Sequence, residues 1–551
     1  MFHEENITLK SLDDIDIRVG IIFPDYYENS ILSLGYQIIY HMLNDRDDCF
    51  CERIVSPHTR SIETDTPLNE FDILSFTIHH TTGYFNMIKM LKNADIPVLS
   101  KDRTADDPFI IAGGPIISAN PMPVERFFDI CCIGEGENIL NPLLDTYKKF
   151  ENPKEHLDEF LKIEGLYIPK FKNHTKISLI DDMDGKFHIY KPFTVKDENN
   201  NIVNSINLDV LRGCSHGCRF CMAGFLYKPS RQTSFDKLIE IAEESRKYSG
   251  ISSVYLVGPD LSDFSGFVEL IETLHNRNFN VGVPSVRLEK ITRELLQYFK
   301  DSELDKFDIA PESIFKIRKS LNKDISDELV QNVMEMALDV GLNLKFLFLI
   351  GFPNETDEDI VDLAKYVKSI LKTRDKFDKN LEIDFRISPV VSKPHTPFQW
   401  EPYDRDIINS KINLFLDELS DLNITCIGNT MFGLSYTNYS INVRFDFNSN
   451  DDCFKDYILS CGDNEVGELI MNVDYDAPIS EWEEYFPRYE FGDELPWDCI
   501  DLGYRDSFIP RERKKMFNLK VTPWCGESPC YNCKDNCNQN VFLNRDVGKD
   551  C

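Results

Sequence analysis

Two successive series of apolar strand runs, each alternating with amphipathic helical stretches, constrain this chain more than any other feature. In the first series "IRVGIIFP" (17–24), "FDILSFTI" (71–78), "PFIIAGGP" (108–115) and "FDICCIGEGE" (128–137) read as buried strands. Between them "SILSLGYQIIYHML" and "YFNMIKMLKN" carry helical periodicity. Alternation of this kind dictates α/β architecture: a parallel sheet with helices on both faces, and ligands at the carboxyl ends of the strands. The paired glycines lie at those ends, Gly113 and Gly114 and then Gly134 and Gly136. Glycine there serves close approach of a ligand or a tight turn.

Residues 151–204 are polar and read as a connector with a small hairpin. The second series starts at 205, with strands "INLDVL", "SVYLV", "FNVGV", "KFDIA", "LKFLFLI" and "EIDFRIS". Six βα units over 205–403 predict a partial (β/α)6 barrel with its site at the carboxyl ends of the strands. From 404 to 551 an α+β extension follows, ending in "WCGESPCYNCKDNC".

Charge and composition narrow the function. With 93 acidic against 60 basic side chains, a net charge of −33, the chain offers no broad nucleic-acid surface. No apolar run approaches a membrane span, and the amino terminus lacks the basic-then-apolar order of a signal peptide, so a cytoplasmic protein without membrane contact is expected. In a reducing compartment 16 cysteines do not read as a disulfide framework, and clustered ones point to metal. Scattered ones, such as Cys131, Cys132, Cys426 and Cys461, read as small core residues.

Directly after the first barrel strand stands "RGCSHGCRFCMAGF" (212–225), with Cys214, Cys218 and Cys221 spaced C-x3-C-x2-C. Structural zinc takes four closed ligands, and no fourth cysteine follows nearby, although His216 lies inside the loop. Soft thiolates in one tight loop suit an iron–sulfur cluster, with three leaving one iron open to another ligand. C-x3-C-x2-C with Phe220 before the last cysteine, after the first strand of a partial barrel, resembles the radical SAM signature. "RGCSHGCRFCMAGFLYKPSR", "DIAPESIFKIRKSLNKDIS", "LKFLFLIGFPNETDED" and "VVSKPHTPFQWEP" resemble successive segments of the cobalamin-binding subgroup of that family, and the N-terminal stretches resemble its cobalamin domain.

The resemblance implies that Cys214, Cys218 and Cys221 ligate a [4Fe-4S] cluster. It implies that Phe220, Gly258, Pro259, Asp260, Asp263, Arg287 and Glu312 hold S-adenosylmethionine, although "GPD" replaces the usual Gly-Gly-Glu. Strand-end salt bridges are the alternative for the charged ones. Ser75, Thr77, Gly113, Gly114, Gly134, Glu135, Gly136 and Glu137 would cradle cobalamin. "FPDYYENS" stands where a D-x-H-x-x-G would supply a cobalt-binding histidine; His79 and His80 are candidates for the lower face or ordinary packed histidines. Cys525, Cys530, Cys533 and Cys537, spaced C-x4-C-x2-C-x3-C, suit a second iron–sulfur cluster or a zinc ion, with Cys551 a substitute ligand.

The activity so implied is methylation of an unactivated carbon, in a peptide, protein or small molecule, through a 5′-deoxyadenosyl radical and methylcobalamin. The alternatives are a radical rearrangement without methyl transfer and a non-enzymatic iron–sulfur or cobalamin-binding regulator. The implied partner beyond the substrate is a reductant such as flavodoxin or ferredoxin. The "KPHTPFQW" stretch, with His395, Phe398 and Trp400, either lines a substrate groove or packs the barrel rim.

Overall fold

A computed structural model describes residues 3–283, 286–302, 304–377, 380–430, 433–438, 441–525 and 533–534. The first series folds as expected into a sheet with strands β1 (Ile17–Phe23), β2 (Cys49–Val55), β3 (Ile73–Thr77), β4 (Phe109–Gly113), β5 (Ile130–Cys132) and β6 (Leu166–Tyr167) in the order β2-β1-β3-β4-β5-β6. All pairings are parallel except β5 with β6. Period-2 alternation divides β1 between two cores. Ile17, Val19, Ile21 and Phe23 meet the helices Leu34–Asn44 and Gly136–Tyr147, whereas Ile22 faces the helix Gly83–Asn93.

The second series begins with β7 (Ile206–Asp209), β8 (Ser253–Val257) and β9 (Asn280–Gly282), a parallel three-stranded sheet. Strands β10 (Lys306–Glu312), β11 (Asn343–Ile350) and β12 (Ile383–Pro389) start a second sheet, and the barrel stays open. That sheet continues into the C-terminal extension: β13 (Thr425–Thr430) and β14 (Gly433–Asn438) form a hairpin, and β15 (Val443–Asn448) pairs in parallel with β12. Both three-strand sets share one core, in which Leu208, Leu256, Ile309, Phe346 and Phe385 are buried.

The connector interlaces with distant segments rather than standing alone. Leu166–Tyr167 joins the first sheet, Thr175–Lys176 pairs with Ile500–Asp501, and Thr194–Lys196 pairs with His3–Glu5. Beyond 450 the extension packs on the N-terminal sheet, burying Tyr457, Trp482 and Trp497 in the same core as Leu74 and Tyr84. Cys131, Cys132 and Cys461 are buried as expected, but Cys426 is exposed, because β13 is the edge strand of its sheet.

Candidate functional site

The cysteine loop lies where strands of both domains end. Its backbone follows β7 through a short strand, Leu211–Arg212, and leads into the helix Met222–Leu226. Cys214, Cys218 and Cys221 are all half-buried on this loop. The Cys221 amide donates to the Cys218 carbonyl at 3.0 Å, and the Arg219 amide to the Leu321 carbonyl at 2.9 Å. Burial is the main influence that pushes the Cys214 and Cys221 thiols upward, so a metal must displace their protons on binding. Among the described residues, the group of three ligand atoms drawn within 4.8 Å of one another is His216, Asp260 and Asp263, not the cysteines.

A buried lysine holds the loop from below. Lys228, 1% exposed, donates to the carbonyls of Cys214 (2.8 Å), Ser215 (3.2 Å) and His216 (2.7 Å). On the outer side, buried Arg219 donates to the Glu512 carboxylate at 3.0 Å and to the carbonyls of Ser320 and Lys520 at 2.7 and 2.8 Å. Glu512 belongs to the terminal helix Phe508–Phe517, whose Met516 also packs in the small core against Phe220. The expected role of Phe220 toward S-adenosylmethionine therefore stands beside a packing role.

Two clefts flank the loop. The first encloses about 1360 Å³, its open mouth included, and lies between the N-terminal sheet and the start of the barrel. All eight residues expected to cradle cobalamin line it: Ser75, Thr77, Gly113, Gly114, Gly134, Glu135, Gly136 and Glu137. The opposite wall is Arg212, Gly213, Ala223 and Tyr227 of the cysteine loop and its helix, with Gly258 and Pro259 from the end of β8. Gly114 and Gly134 are demanded by the chain itself. Their φ values are +105° and +116°, and a Cβ would stand 2.5 Å from the Ile78 carbonyl oxygen and 2.1 Å from that of Ser178. At Gly113 the nearest neighbour of a Cβ would be Cys132 at 3.6 Å, an ordinary contact, so the chain itself does not demand glycine there.

Glu135 and Glu137 also join the two domains. Arg231 donates to both oxygens of Glu135 at 2.8 and 3.0 Å, and Arg212 donates to Glu137 at 2.6 Å and to Asp209 at 2.8 Å. His79 lines the same cleft, tilted against the Phe23 ring with centroids 5.2 Å apart, and its Nε2 is 3.3 Å from Ser33 Oγ. Burial pulls its pKa down to about 4, which leaves a neutral imidazole at neutral pH. His80 lies in a small neighbouring cleft beside Asp25 and Thr82.

The second cleft, of about 1110 Å³, opens on the other side of the loop, lined by His216, Asp263, Arg287, Glu289, Asn322 and Trp524 among others. His216 Nε2 lies 3.1 Å from Asp260 Oδ2 and 3.4 Å from Asp263 Oδ1, and its ring stacks on Trp524 at 4.9 Å. Burial works against protonation of His216, yet the two aspartates together outweigh it and raise its pKa. Arg287 pairs with Glu289 at 2.5 Å. Glu312, at a φ of +65°, accepts from Lys323 at 2.6 Å. The expected S-adenosylmethionine residues thus divide: Gly258 and Pro259 face the first cleft, Asp263 and Arg287 the second, and Glu312 is held in a strand-end ion pair.

His395, Phe398 and Trp400 are buried, Phe398 beside Phe352 and Trp400 in the core shared with the N-terminal sheet, which favours packing over a groove wall. The His395 Nε2 meets the Ala119 carbonyl at 2.9 Å, and burial lowers its pKa to about 4. Cys525 and Cys533 pack near the cysteine loop: the Cys525 amide donates to the Ser215 carbonyl at 2.9 Å, and Cys533 joins Phe225 and Phe508. Cys530, Cys537 and Cys551 lie outside the described residues. Sequence reasoning missed Lys228 and Arg212, and missed Arg231 on Glu135 and the Arg219–Glu512 pair, whose partners are remote in sequence.

Residues 35–169 match the family model described as Radical SAM proteins, N-terminal, and residues 208–367 that of the Radical SAM superfamily, together more than half of the chain. An uncharacterised protein of Methanocaldococcus jannaschii is 28% identical over 391 residues, 70% of this chain and 80% of its own length. The ribosomal protein uS12 methylthiotransferase RimO of Koribacter versatilis is 28% identical over 180 residues, 29% of this chain and 35% of that protein. The likeness therefore takes in only about a third of RimO. Among solved structures, the radical S-adenosylmethionine methyltransferase TsrM from Kitasatospora setae, with cobalamin and a [4Fe-4S] cluster bound, aligns at a TM-score of 0.45 and 11% identity. That alignment covers 68% of this chain and 75% of TsrM.

Proposed function

Because this chain belongs to the radical SAM superfamily, and works with the [4Fe-4S] cluster and S-adenosylmethionine that define it, we propose that it also binds cobalamin and methylates an unactivated carbon. The observation that carries the cobalamin reading is the shared first cleft. The glycine-rich ends of β4 and β5 form one wall, and the cysteine loop forms the other. When bound, the cluster would supply the electron that cleaves S-adenosylmethionine to methionine and a 5′-deoxyadenosyl radical, and cobalamin would supply a methyl carrier.

The protein's own part is positioning. Lys228 fixes three carbonyls of the loop, so Cys214, Cys218 and Cys221 present their sulfurs in one orientation. Arg212 and Arg231, clamped on Glu137 and Glu135, set the width of the first cleft. Asp260 and Asp263 offer carboxylates for an ammonium group, with His216 competing for them in the free protein. Leu34, Ile39 and Leu140 make part of the cleft's lining apolar.

The test is anaerobic reconstitution with iron, sulfide and hydroxocobalamin, followed by iron, zinc and cobalt analysis of the wild type and of the Cys214→Ala, Cys218→Ala, Cys221→Ala triple variant. About one cobalt per chain, with about four irons lost in the variant, is expected. Absence of cobalt would remove the cobalamin reading. Methyl-labelled S-adenosylmethionine then separates methyl transfer, in which label enters product, from a rearrangement, in which it does not.

A further inference from the structure

The cysteine loop is backed on its outer side by a patch whose charge opposes that of the whole protein. Residues 505–520 carry six cationic side chains, Arg505, Arg511, Arg513, Lys514, Lys515 and Lys520, against two carboxylates, in a chain of net charge −33. One of those carboxylates, Glu512, is turned inward on Arg219. Arg513 and Lys515 are committed to Glu401 and Glu512. Arg505, Arg511, Lys514 and Lys520 are exposed at the surface. Lys514 and Lys520 have no carboxylate partner among the described residues.

Helix electrostatics accounts for only part of this. Lysines in the last turn favour a helix, but the first turn of Phe508–Phe517 contains no acid, while Arg505 precedes it and Arg511 lies in that turn, where cations are unfavourable. Among these charges three apolar side chains are exposed, Phe517 (41%), Leu519 (39%) and Val521 (44%). Exposed Phe517 and Leu519 beside the exposed lysines Lys514 and Lys520 suit a steered protein contact.

Its position is the second observation. Arg219, between Cys218 and Phe220, donates to the Lys520 carbonyl and to Glu512, and Met516 packs in the core that holds Phe220. The patch thus lies one side chain behind the sulfur-bearing loop. A cluster there must receive its electron from outside the chain.

We propose that this face, Arg511, Lys514, Phe517, Leu519 and Lys520, docks a small acidic one-electron carrier protein that reduces the cluster. The inference rests on the cluster assignment above. One electron leaves the carrier and one enters the cluster, with no bond made or broken. Long-range repulsion from the acidic remainder of the chain confines such a carrier to the basic face.

The probe is an acidic low-potential ferredoxin, with titanium(III) citrate as a small reductant that needs no docking. The loaded wild type, an R511E/K514E/K520E variant and a milder K514Q/K520Q variant would be compared. Charge reversal is expected to weaken ferredoxin binding by about tenfold or more at low salt and to flatten its salt dependence, the glutamine variant lying between. S-adenosylmethionine cleavage should slow in parallel with ferredoxin, yet stay within about twofold with titanium(III) citrate. Unchanged ferredoxin affinity in both variants overturns the proposal, as does equal slowing with both reductants. Loss of single-stranded RNA binding with ferredoxin affinity intact would make the patch a nucleic-acid contact and overturn it too. If the wild type cleaves nothing with titanium(III) citrate, the cluster-based reading fails separately.

Discussion

Glu512→Gln tests the link between the terminal helix and the cysteine loop most directly. Arg219 is fully buried and Glu512 is 3% exposed, and their closest atoms are 3.0 Å apart. At an effective dielectric of about 20 the Coulomb attraction at that distance is about 5 kcal/mol. Removing one partner of a buried pair costs about 3–5 kcal/mol, because the other charge is left uncompensated. The same carboxylate accepts from Lys515 at 2.9 Å and from Thr522 at 2.8 Å, so the segment 518–525 loosens with it. At about 1.4 kcal/mol per factor of ten, local opening should become about a hundred to a few thousand times more frequent. Hydrogen–deuterium exchange of peptides covering 212–226 and 508–525 reads this opening where a global unfolding measurement on a multidomain chain would not. An Arg219→Met/Glu512→Leu double variant should recover most of the protection, since apolar side chains of similar volume replace a buried pair at little cost. Exchange in Glu512→Gln within about threefold of wild type would refute the reasoning, and so would a double variant as labile as the single one.

Four further outcomes follow from the geometry. The Glu512 carboxyl is pushed up by burial, but Arg219, Lys515 and Thr522 outweigh this and hold it below its ordinary value; its stabilisation is therefore present above about pH 4.3 and lost as pH falls through the lower folded value. Protection of 508–525, corrected for intrinsic exchange, should accordingly hold from neutral pH to that point, and loss beginning near pH 6 would contradict it. Lys228→Met removes the donor from three loop carbonyls at about 1–3 kcal/mol each, and iron bound after identical reconstitution should drop well below that of wild type. Gly134→Ala forces a side chain into a φ of +116° against the Ser178 backbone and should cost about 1–3 kcal/mol in strain alone, seen as a lowered melting temperature. Gly113→Ala, whose Cβ would make only an ordinary contact with Cys132 at 3.6 Å, should melt within a degree or two of wild type, about 0.5 kcal/mol at most, and lose hydroxocobalamin instead.

What the sequence made legible was whatever a short window determines. The strands "IRVGIIFP" and "LKFLFLI" and their following helices are local patterns of burial, and they appear where expected as β1 and β11. Strand β2 escaped that reading because "CFCERIV" interrupts its apolar run with Glu52 and Arg53. Both are buried, Glu52 on Arg18, and Arg53 on Glu4 and Glu63. A charge whose partner is elsewhere in the chain looks like a surface charge. The same limit hid the pairing of β15 with β12, separated by about fifty residues, and hid Arg231 on Glu135, 96 residues apart. The cysteines and the glycine-rich strand ends were legible because their spacing is itself the signal. Their supports were not, since nothing marks Lys228 in "YKPS" as a buried donor.

The cations of the cysteine loop differ in what balances them, and that difference has a consequence for folding. Arg212 meets Asp209 and Glu137, and Arg219 meets Glu512. Lys228 is equally buried, yet among the described residues it has no carboxylate partner and only carbonyl oxygens and the Cys525 sulfur around it. A buried ammonium without a counter-charge costs several kcal/mol. Three thiols cannot offset it, but three thiolates bound to a metal cluster can, because they carry negative charge to the loop that Lys228 spans. The metal-free loop is thus electrostatically unbalanced and the loaded loop is not, so cluster binding should stabilise the region beyond the mass-action effect of a ligand. Urea titration followed by exchange over 212–232 should show the metal-free protein opening first in this segment. In Lys228→Met the metal-free and loaded forms should converge, and an undiminished gap between them would mean that the ammonium plays no part in the balance.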